Sequence, residues 1–491
     1  MESLTASLAS FNDGLWLYLI IPILAALSLY FTVRSGVVQI RMLPDMFRAV
    51  VAKPRQEEGR GEPVSSFQAF AISAAARIGT GNIVGVATAI ALGGPGAIFW
   101  MWVMGTLVGA ASFVESTLAQ LYKVKDGQDY RGGPAYYMER GLRARWMGLL
   151  FAVVIILTFS FVFNSVQANT IAGAIGTSAE AALGQTPGWL AAVVGVALVA
   201  LVAAIVFGGL HRIANTAQML VPLMVIIYLV LGIVVVALNI DRVPGVVETI
   251  FAHAFGLREI AAAGIGTAIS QGVRRGMFSN EAGLGSAPNA AATATVSHPV
   301  KQGLVQTLGV YLDTLIVCSI TAFIVLVSNP SYGENAGPTM TQRALETSLG
   351  GWSLHVLTVV ILLVAFTSVL GNYYYGESNV AFLSRRRSVL TGYRVIFLVI
   401  AFLGAITSAE LVWTLADTTM ALMALVNLAA IAPLSPVAFR LMRDFVAQRK
   451  QGRDPVFTRD LMPDISGVEC WEPEKPHTPP ADEPREGRAL P

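Results

Sequence analysis

The chain has 491 residues, of which 54% are hydrophobic and 13% charged, with a formal net charge of +2 and a mean hydropathy of +0.62. This composition excludes an ordinary soluble domain and is typical of a membrane protein with several spans. Its two cysteines, Cys318 and Cys470, exclude a disulfide framework and make a poor metal site.

Eleven apolar segments follow one another, each near the roughly 20 residues that a helix needs to cross a bilayer. They are residues 15–33, 67–92, 97–121, 148–175, 189–207, 217–238, 260–292, 303–327, 352–373, 392–407 and 411–432. The seventh segment is too long and too rich in glycine for one plain span, so we interpret it as two half-helices joined by a break. The sequence therefore predicts an all-α protein with eleven transmembrane helices.

Lysine and arginine are concentrated in the loops at residues 34–60, 123–145 and 385–394, whereas the loops on the opposite side hold Arg242, Arg258 and Arg343. Because the side rich in Lys and Arg faces the cytoplasm, we expect the N-terminus outside and the C-terminus inside. The predicted location is the plasma (inner) membrane. The polar tail, residues 440–491, is expected to be cytoplasmic and mostly disordered.

The second apolar segment contains Gly79, Thr80, Gly81 and Asn82 near its middle. Glycine weakens a helix by about 1 kcal/mol relative to alanine, and lipid offers no partners to freed backbone groups. Secondary transporters use such breaks to hold substrates and coupling ions. The alternative is a face of small residues that packs against another helix.

Leaving out the first span, ten spans remain, which predicts two inverted sets of five. The predicted regions are residues 1–65 with the extra N-terminal helix, 66–240 with the first set, and 258–436 with the second. A short echo of residues 78–81 at Ile265, Gly266, Thr267 and Ala268 predicts the second break there.

Several ordered motifs resemble the alanine/glycine:cation symporter family. They are residues 93–102 (GGPGAIFWMW), 275–283 (RGMFSNEAG), 285–288 (GSAP), 166–169 (VQAN), 313–314 with 317–318, and 416–417 with 427–428. The resemblance covers nearly all of the membrane region. It implies the fold of the bacterial leucine transporter, with one extra helix in front, and sodium-coupled uptake of a small neutral amino acid.

Substrate contacts are expected around the two breaks, where helix N-termini favour a carboxylate and unwound carbonyls favour cations. Gln167 could bond either end of an amino acid or only clasp a neighbouring helix. The predicted substrate-binding residues are Gly79, Thr80, Gly81, Asn82, Gln167, Gly266, Thr267, Ser270, Gly272, Val273 and Asn372.

The resemblance also implies a sodium site, with the hydroxyls of Thr367 and Ser368 as ligands together with the carbonyls of Ala75, Ile78 and Val364. From the residues alone, hydroxyls that bond back to their own helix are the alternative.

Two carboxylates, Asp313 and Asp417, lie inside predicted spans, where an unpaired charge is costly. Asp313 could bind a second cation or carry a proton, and Asp417 could pair with a buried hydrogen-bond donor. We place Arg274 and Arg275 in the cytoplasmic half of the broken seventh segment. We expect these two arginines and Arg77 to form gates or ion pairs rather than substrate contacts.

Two departures from the family pattern concern the pocket. Asn372 stands where the family commonly has a tryptophan, and Ser270 and Val273 stand where it often has bulkier apolar residues. Both departures favour a larger or more polar substrate than alanine or glycine.

Other classes of protein fit less well. An enzyme would need paired acids or clustered Ser/His or His/Cys residues on facing helices, and a channel would favour repeated rings of pore-lining residues; neither pattern is found. A proton-coupled symporter or an exchanger on the same fold stays open. The expected partners are the amino acid, Na⁺ and the lipid bilayer, with no nucleic acid.

Overall fold

The computed structural model describes residues 2–54, 63–257, 264–333 and 337–472. The principal helices, in chain order, are α1 (Thr5–Arg34), α2 (Ser66–Arg77), α3 (Gly81–Gly93), α4 (Gly96–Leu121), α5 (Arg145–Leu183), α6 (Leu190–Val206), α7 (Gly209–Leu238), α8 (Ile265–Asn280), α9 (Ala287–Ala291), α10 (Pro299–Val327), α11 (Trp352–Leu383), α12 (Arg387–Ile406) and α13 (Ala409–Lys450). Shorter helices span Val38–Arg41, Leu43–Val50, Pro134–Arg140, Val243–Ala254 and Gly337–Leu349. An antiparallel hairpin pairs Val124–Asp126 with Asp129–Arg131.

Each of the eleven predicted segments contains helix, but fewer helices qualify as membrane spans by length and apolar character. Within the described residues eight helices qualify, and the bent pair of α2 and α3 makes a ninth. Helix α6 is apolar but has only 17 residues, and α8 has 16 residues that include Arg274 and Arg275. The protein is therefore an all-α, multi-pass membrane protein, while the count of eleven and the two inverted sets of five stay predictions.

The first helix break lies where the glycines predict it. Helix α2 ends at Arg77, α3 begins at Gly81, and the two axes differ by 47°. The start of α2 is fixed by a capping box, in which the Ser65 hydroxyl accepts from the Gln68 N–H and the Gln68 side chain accepts from the Ser65 N–H. The bend follows from weak helix propensity at Gly79 and Gly81 together with side chains that bond the freed backbone.

The predicted position of the second break is wrong. Gly266 and Thr267 lie in the exposed first turn of α8, whose N-cap is Gly264, and the helix continues without interruption to Asn280. The interruption falls at residues 281–286, between α8 and α9, where Glu281, Gly283 and Gly285 have positive φ. Positive φ favours glycine, so the glycines that matter lie well after the echo.

Small residues let α4 approach its neighbours α8 and α10 closely. A Cβ on Gly272 would lie 2.2 Å from the Ala97 carbonyl oxygen, and one on Gly303 would lie 2.8 Å from the Phe113 carbonyl oxygen. Gly272 therefore serves the contact of α8 with α4 rather than the substrate site that the sequence predicted. Such close contacts replace the hydrophobic driving force that is weak between helices in lipid.

The described part of the predicted tail is ordered rather than disordered. Helix α13 continues to Lys450, and residues 453–472, which we name the C-terminal strap, pack against the ends of α4, α10 and α13. Phe457, Met462 and Trp471 in the strap are buried. The sequence does not reveal this burial, because the apolar side chains are widely spaced in a polar segment and are buried by other parts of the chain. The expectation of disorder rests on the composition of the last residues and stays a prediction. Residues 473–491 lie outside the described residues.

Candidate functional site

The break between α2 and α3 is stabilised by side chains rather than by helical hydrogen bonds. The Gly79 N–H donates to Asn82 Oδ1 at 2.9 Å, and the Thr80 N–H contacts Gln167 Oε1 at 3.4 Å. A Cβ on Gly79 would lie 2.3 Å from the Ser368 hydroxyl oxygen, and one on Gly81 would lie 2.8 Å from the Phe278 ring. Glycine is therefore required here by close approach as well as by the bend.

Two polar atoms without partners lie near this break. Within the described residues, the Thr80 hydroxyl and the Asn372 amide nitrogen are buried and form no hydrogen bond; the Ser270 hydroxyl is also buried without a partner, but it lies farther along α8, toward the end of α3. Asn372 lies one helical turn after Ser368 on α11, on the same helix face, and the preceding Gly371 packs against Ala76 of α2. Because buried polar groups are usually paired, this arrangement is suited to a polar ligand.

Four of the five predicted sodium ligands lie together. The Ser368 hydroxyl donates to the carbonyls of Ala75 and Val364, both at 2.9 Å, and the Thr367 hydroxyl contacts the same Val364 carbonyl at 2.9 Å. Hard oxygen atoms from α2 and α11 therefore converge, which suits Na⁺. The Thr367 hydroxyl also lies 3.4 Å from the Met224 sulfur, and the Ile78 carbonyl makes no hydrogen bond to either hydroxyl.

Asp313 accepts hydrogen bonds from three elements on the other side of the break. Asn82 Nδ2 donates to it at 2.6 Å, the Ser279 hydroxyl at 2.8 Å and the Thr314 hydroxyl at 3.1 Å. No Lys, Arg or His forms an ion pair with Asp313 in the described part of the chain. The carboxylate therefore links α3, α8 and α10 beside the break.

A cleft of about 610 Å³ lies on one side of the site, lined by residues of α1, α3, α8 and α13. Arg275 pairs with Asp417 at 2.8 Å, and Arg274 pairs with Asp13 at 2.5 Å. The ion pairs confirm the prediction for these two arginines, but their predicted side does not agree with the predicted side of the N-terminus. They lie beside the start of α1, which is the end predicted to be extracellular, because α8 is a single helix rather than a broken one.

The remaining predicted residues are distributed along α8. Thr267 lines the 610 Å³ cleft, and Gly266 is exposed beside it. Val273 lies within the main hydrophobic core, where it is 1% exposed. Arg77 points away from the break, with Nη1 donating to the Gln306 carbonyl at 3.0 Å. The structure thus gathers Gly79, Gly81 and Gln167 at the break, and it does not bring Gly266, Thr267 or Gly272 there.

Sequence reasoning missed three residues of this region. Phe278 and Ser279 contact the break, and both belong to a motif that was noted without assigning them a role. Glu115 of α4 is buried and accepts from the N–H groups of Gly283 and Gly285 at 3.2 and 3.1 Å, which holds the second interruption. A lone carboxylate within an apolar segment is the signal that could have identified Glu115.

The bent helix, the converging oxygen atoms and the several spans define a class: a helical secondary transporter. The solved structure of MhsT in complex with L-phenylalanine shares the fold of this chain, with a TM-score of 0.54 and 13% sequence identity, and the match covers 78% of this chain and 99% of that one.

The model of the sodium:alanine symporter family matches residues 1–459. Amino-acid carrier protein AlsT of Bacillus subtilis is 49% identical over 476 residues, 97% of this chain and 99% of that protein. The probable sodium/glutamine symporter GlnT of the same organism is 49% identical over 461 residues, 94% of each chain. The putative sodium/proton-dependent alanine carrier protein YrbD, also of Bacillus subtilis, is 42% identical over 486 residues, 96% of this chain and 98% of that protein. The chain belongs to the sodium:alanine symporter family, and it is a transporter rather than an enzyme.

Proposed function

We propose that this protein imports a small neutral amino acid together with Na⁺ by alternating access, and that its pocket admits side chains larger than methyl. The observation that carries the proposal is the break at Gly79–Asn82, where backbone groups, Gln167 and unpartnered polar atoms meet.

In this proposal the substrate carboxylate accepts hydrogen bonds from the backbone N–H groups near Thr80. The Thr80 N–H is available because its present contact with Gln167 Oε1 is long, at 3.4 Å. Gln167 can then rotate to bond the substrate, because its amide both donates and accepts. Sodium takes the oxygen atoms of Ala75, Val364, Thr367 and Ser368. Since Ala75 belongs to α2 and Ser368 to α11, bound Na⁺ would hold those two helices together and favour the form that binds the amino acid.

The proposal that the pocket admits substrate side chains larger than methyl rests on the residues of α8 and α11 that depart from the family pattern. Asn372 and Ser270 each present a buried polar atom without a partner, which suits a polar substrate side chain. The relative named as a probable sodium/glutamine symporter supports this direction.

The test is uptake of labelled alanine, glycine, serine, threonine and glutamine into proteoliposomes, with and without a sodium gradient. We expect gradient-dependent uptake that includes at least one residue larger than alanine. The variant Val273→Met/Asn372→Trp should narrow the ranking toward alanine and glycine and keep sodium dependence. An unchanged ranking would mean that these positions do not line the pocket.

A proton-coupled mechanism is the second candidate, supported by the relative named as a putative sodium/proton-dependent alanine carrier. Uptake driven by a proton gradient in the complete absence of sodium would favour it over the first proposal.

A further inference from the structure

A basic groove lies where α1 and α13 end on the side predicted to be cytoplasmic. It has a volume of about 430 Å³, and its lining includes Arg34, Arg41, Arg443 and Lys450 above the apolar side chains of Phe439 and Val446. Arg34 ends α1, Arg41 ends the short helix Val38–Arg41 that follows it, and the other two cations lie on α13. No acidic residue is part of the lining.

These four charges are not neutralised within the described part of the chain. None of them forms an ion pair there, and Asp45, on the nearby helix Leu43–Val50, is already engaged by Arg48 at 3.2 Å and Arg449 at 2.9 Å. Like charges gathered in one cleft attract an anion, because low-dielectric walls strengthen the field between them.

Two of the guanidinium groups are held in place. Arg41 Nη2 donates to the Ser35 carbonyl at 3.0 Å, and the Arg34 Cζ atom lies 5.7 Å from the Tyr30 ring centroid and 5.8 Å from that of Phe439. A guanidinium stacked on rings keeps its N–H edge free for bidentate bonding, which is the geometry that recognises phosphate.

The groove adjoins a surface that suits acyl chains. On the last turns of α1, Leu29 is 55% exposed and Val33 is 67% exposed, as expected for side chains that face hydrocarbon in a membrane helix. A phosphate group in the groove would thus have apolar protein surface directly beside it.

We propose that this groove binds the headgroup of an anionic phospholipid of the cytoplasmic leaflet. The phosphate binds the four cationic side chains, and the acyl chains lie along α1. Because two cations lie at the end of α1 and on the short helix after it, and two lie on α13, the lipid bridges these parts of the chain. Basic pockets between membrane helices on the cytoplasmic side bind anionic headgroups in the same way.

The test compares the full-length protein with the variant Arg443→Gln/Lys450→Gln, which removes two charges without removing a hydrogen bond or a stacked ring. The matched control is Arg385→Gln/Arg387→Gln, which removes two exposed charges from another loop on the same predicted side. Each protein is purified from bilayers of equal phosphatidylglycerol and phosphatidylcholine, and the lipids that stay bound are quantified by mass spectrometry.

We expect retained phosphatidylglycerol, relative to phosphatidylcholine, to fall on the order of tenfold in the groove variant and to stay unchanged in the control. Equal retention in wild type and groove variant, or an equal fall in the control, would overturn the proposal. In a second arm, phosphatidylglycerol should raise the unfolding temperature of the wild type and inorganic phosphate should not. Equal protection by free phosphate would also overturn it. Neither arm measures transport, so the outcome is independent of the proposed substrate.

Discussion

The break between α2 and α3 and the C-terminal strap are both irregular segments, yet they are held in opposite ways. The break is built from glycine and small polar residues, and the Thr80 hydroxyl beside it has no partner among the described residues. The strap is fastened by aromatic side chains, ion pairs and backbone hydrogen bonds.

The contacts of the strap show how complete this fastening is. The Trp471 indole N–H donates to the Gln120 carbonyl at 3.1 Å, the Phe457 N–H donates to the Ser297 carbonyl at 2.8 Å, and Asp454 pairs with Lys301 at 2.8 Å. Irregular backbone that is tied to the rest of the chain by several such contacts stabilises a fold, whereas irregular backbone beside unpaired polar atoms is suited to bind something else.

The largest effect is expected from filling the close approach at the break. Gly81→Val places a branched side chain within 2.8 Å of the Phe278 ring and 3.2 Å of the Ser279 Cα atom, so we expect uptake to fall to background while the protein still inserts. The matched control is Gly173→Val on α5, since a Cβ on Gly173 meets nothing within 4 Å. Wild-type affinity in Gly81→Val would contradict the role given to the break.

The next largest effect is expected in the strap and should be on stability. Trp471 is 4% exposed and stacks edge-on against Phe457 at 5.6 Å, so Trp471→Ala should lower the free energy of unfolding by about 3 kcal/mol. The readout is thermal unfolding of the purified protein, with Val456→Ala as the control because Val456 is 42% exposed on the same segment. If both variants unfold at the wild-type temperature, the strap does not fasten the fold as described.

At the proposed sodium site we expect substitutions to change the dependence of uptake on sodium concentration. Ser368→Ala removes a ligand from the proposed sodium site, and losing one interaction with a charged group costs about 1.5–3 kcal/mol, or roughly tenfold or more in affinity. The sodium concentration for half-maximal uptake should rise accordingly, and less so for Thr367→Ala, whose hydroxyl also contacts Met224.

The control for that measurement is Ser353→Ala on the same helix, where the hydroxyl donates to the Gly350 carbonyl at 2.7 Å. An unaltered sodium dependence in both Ser368→Ala and Thr367→Ala would rule out the assignment, and a shift in Ser353→Ala would show that the effect is not local.

The smallest effect is expected at His298, next to the strap. Burial lowers the pKa of His298 below its ordinary value of 6.5, against the opposing influence of Asp444; Lys301 and Asp454 also face the ring. The folded protein therefore binds fewer protons than the unfolded chain as pH falls through about 6.5. Stability should be retained above that pH and decline below it, measured as the unfolding temperature against pH. The decline should be reduced in His298→Gln, and an identical pH profile in this variant would exclude His298 as its cause.

The sequence predicted the break and much of its lining because the signals are local. Glycine and polar residues in an apolar segment stand out whatever packs around them, and Gln167 belongs to one of the ordered family motifs. It mislocated the second break because a four-residue echo carries no information about backbone φ, which is positive at Gly283 and Gly285, where Glu115 and Asn427 bond the backbone.

What the sequence by itself determined is the class: its composition and segment lengths indicate a helical membrane protein, and Gly79 and Gly81 favour a broken helix over a plain packing face. Only the tertiary structure decided which distant residues come together: Ser368 bonds Ala75, Asp417 pairs with Arg275, and Arg34 lines the same groove as Arg443. It also decided that the strap is ordered. The physical reason is that glycine and apolar patterning act within a few residues, whereas ion pairs, ligand cages and the burial of isolated aromatic side chains depend on chain segments hundreds of residues apart.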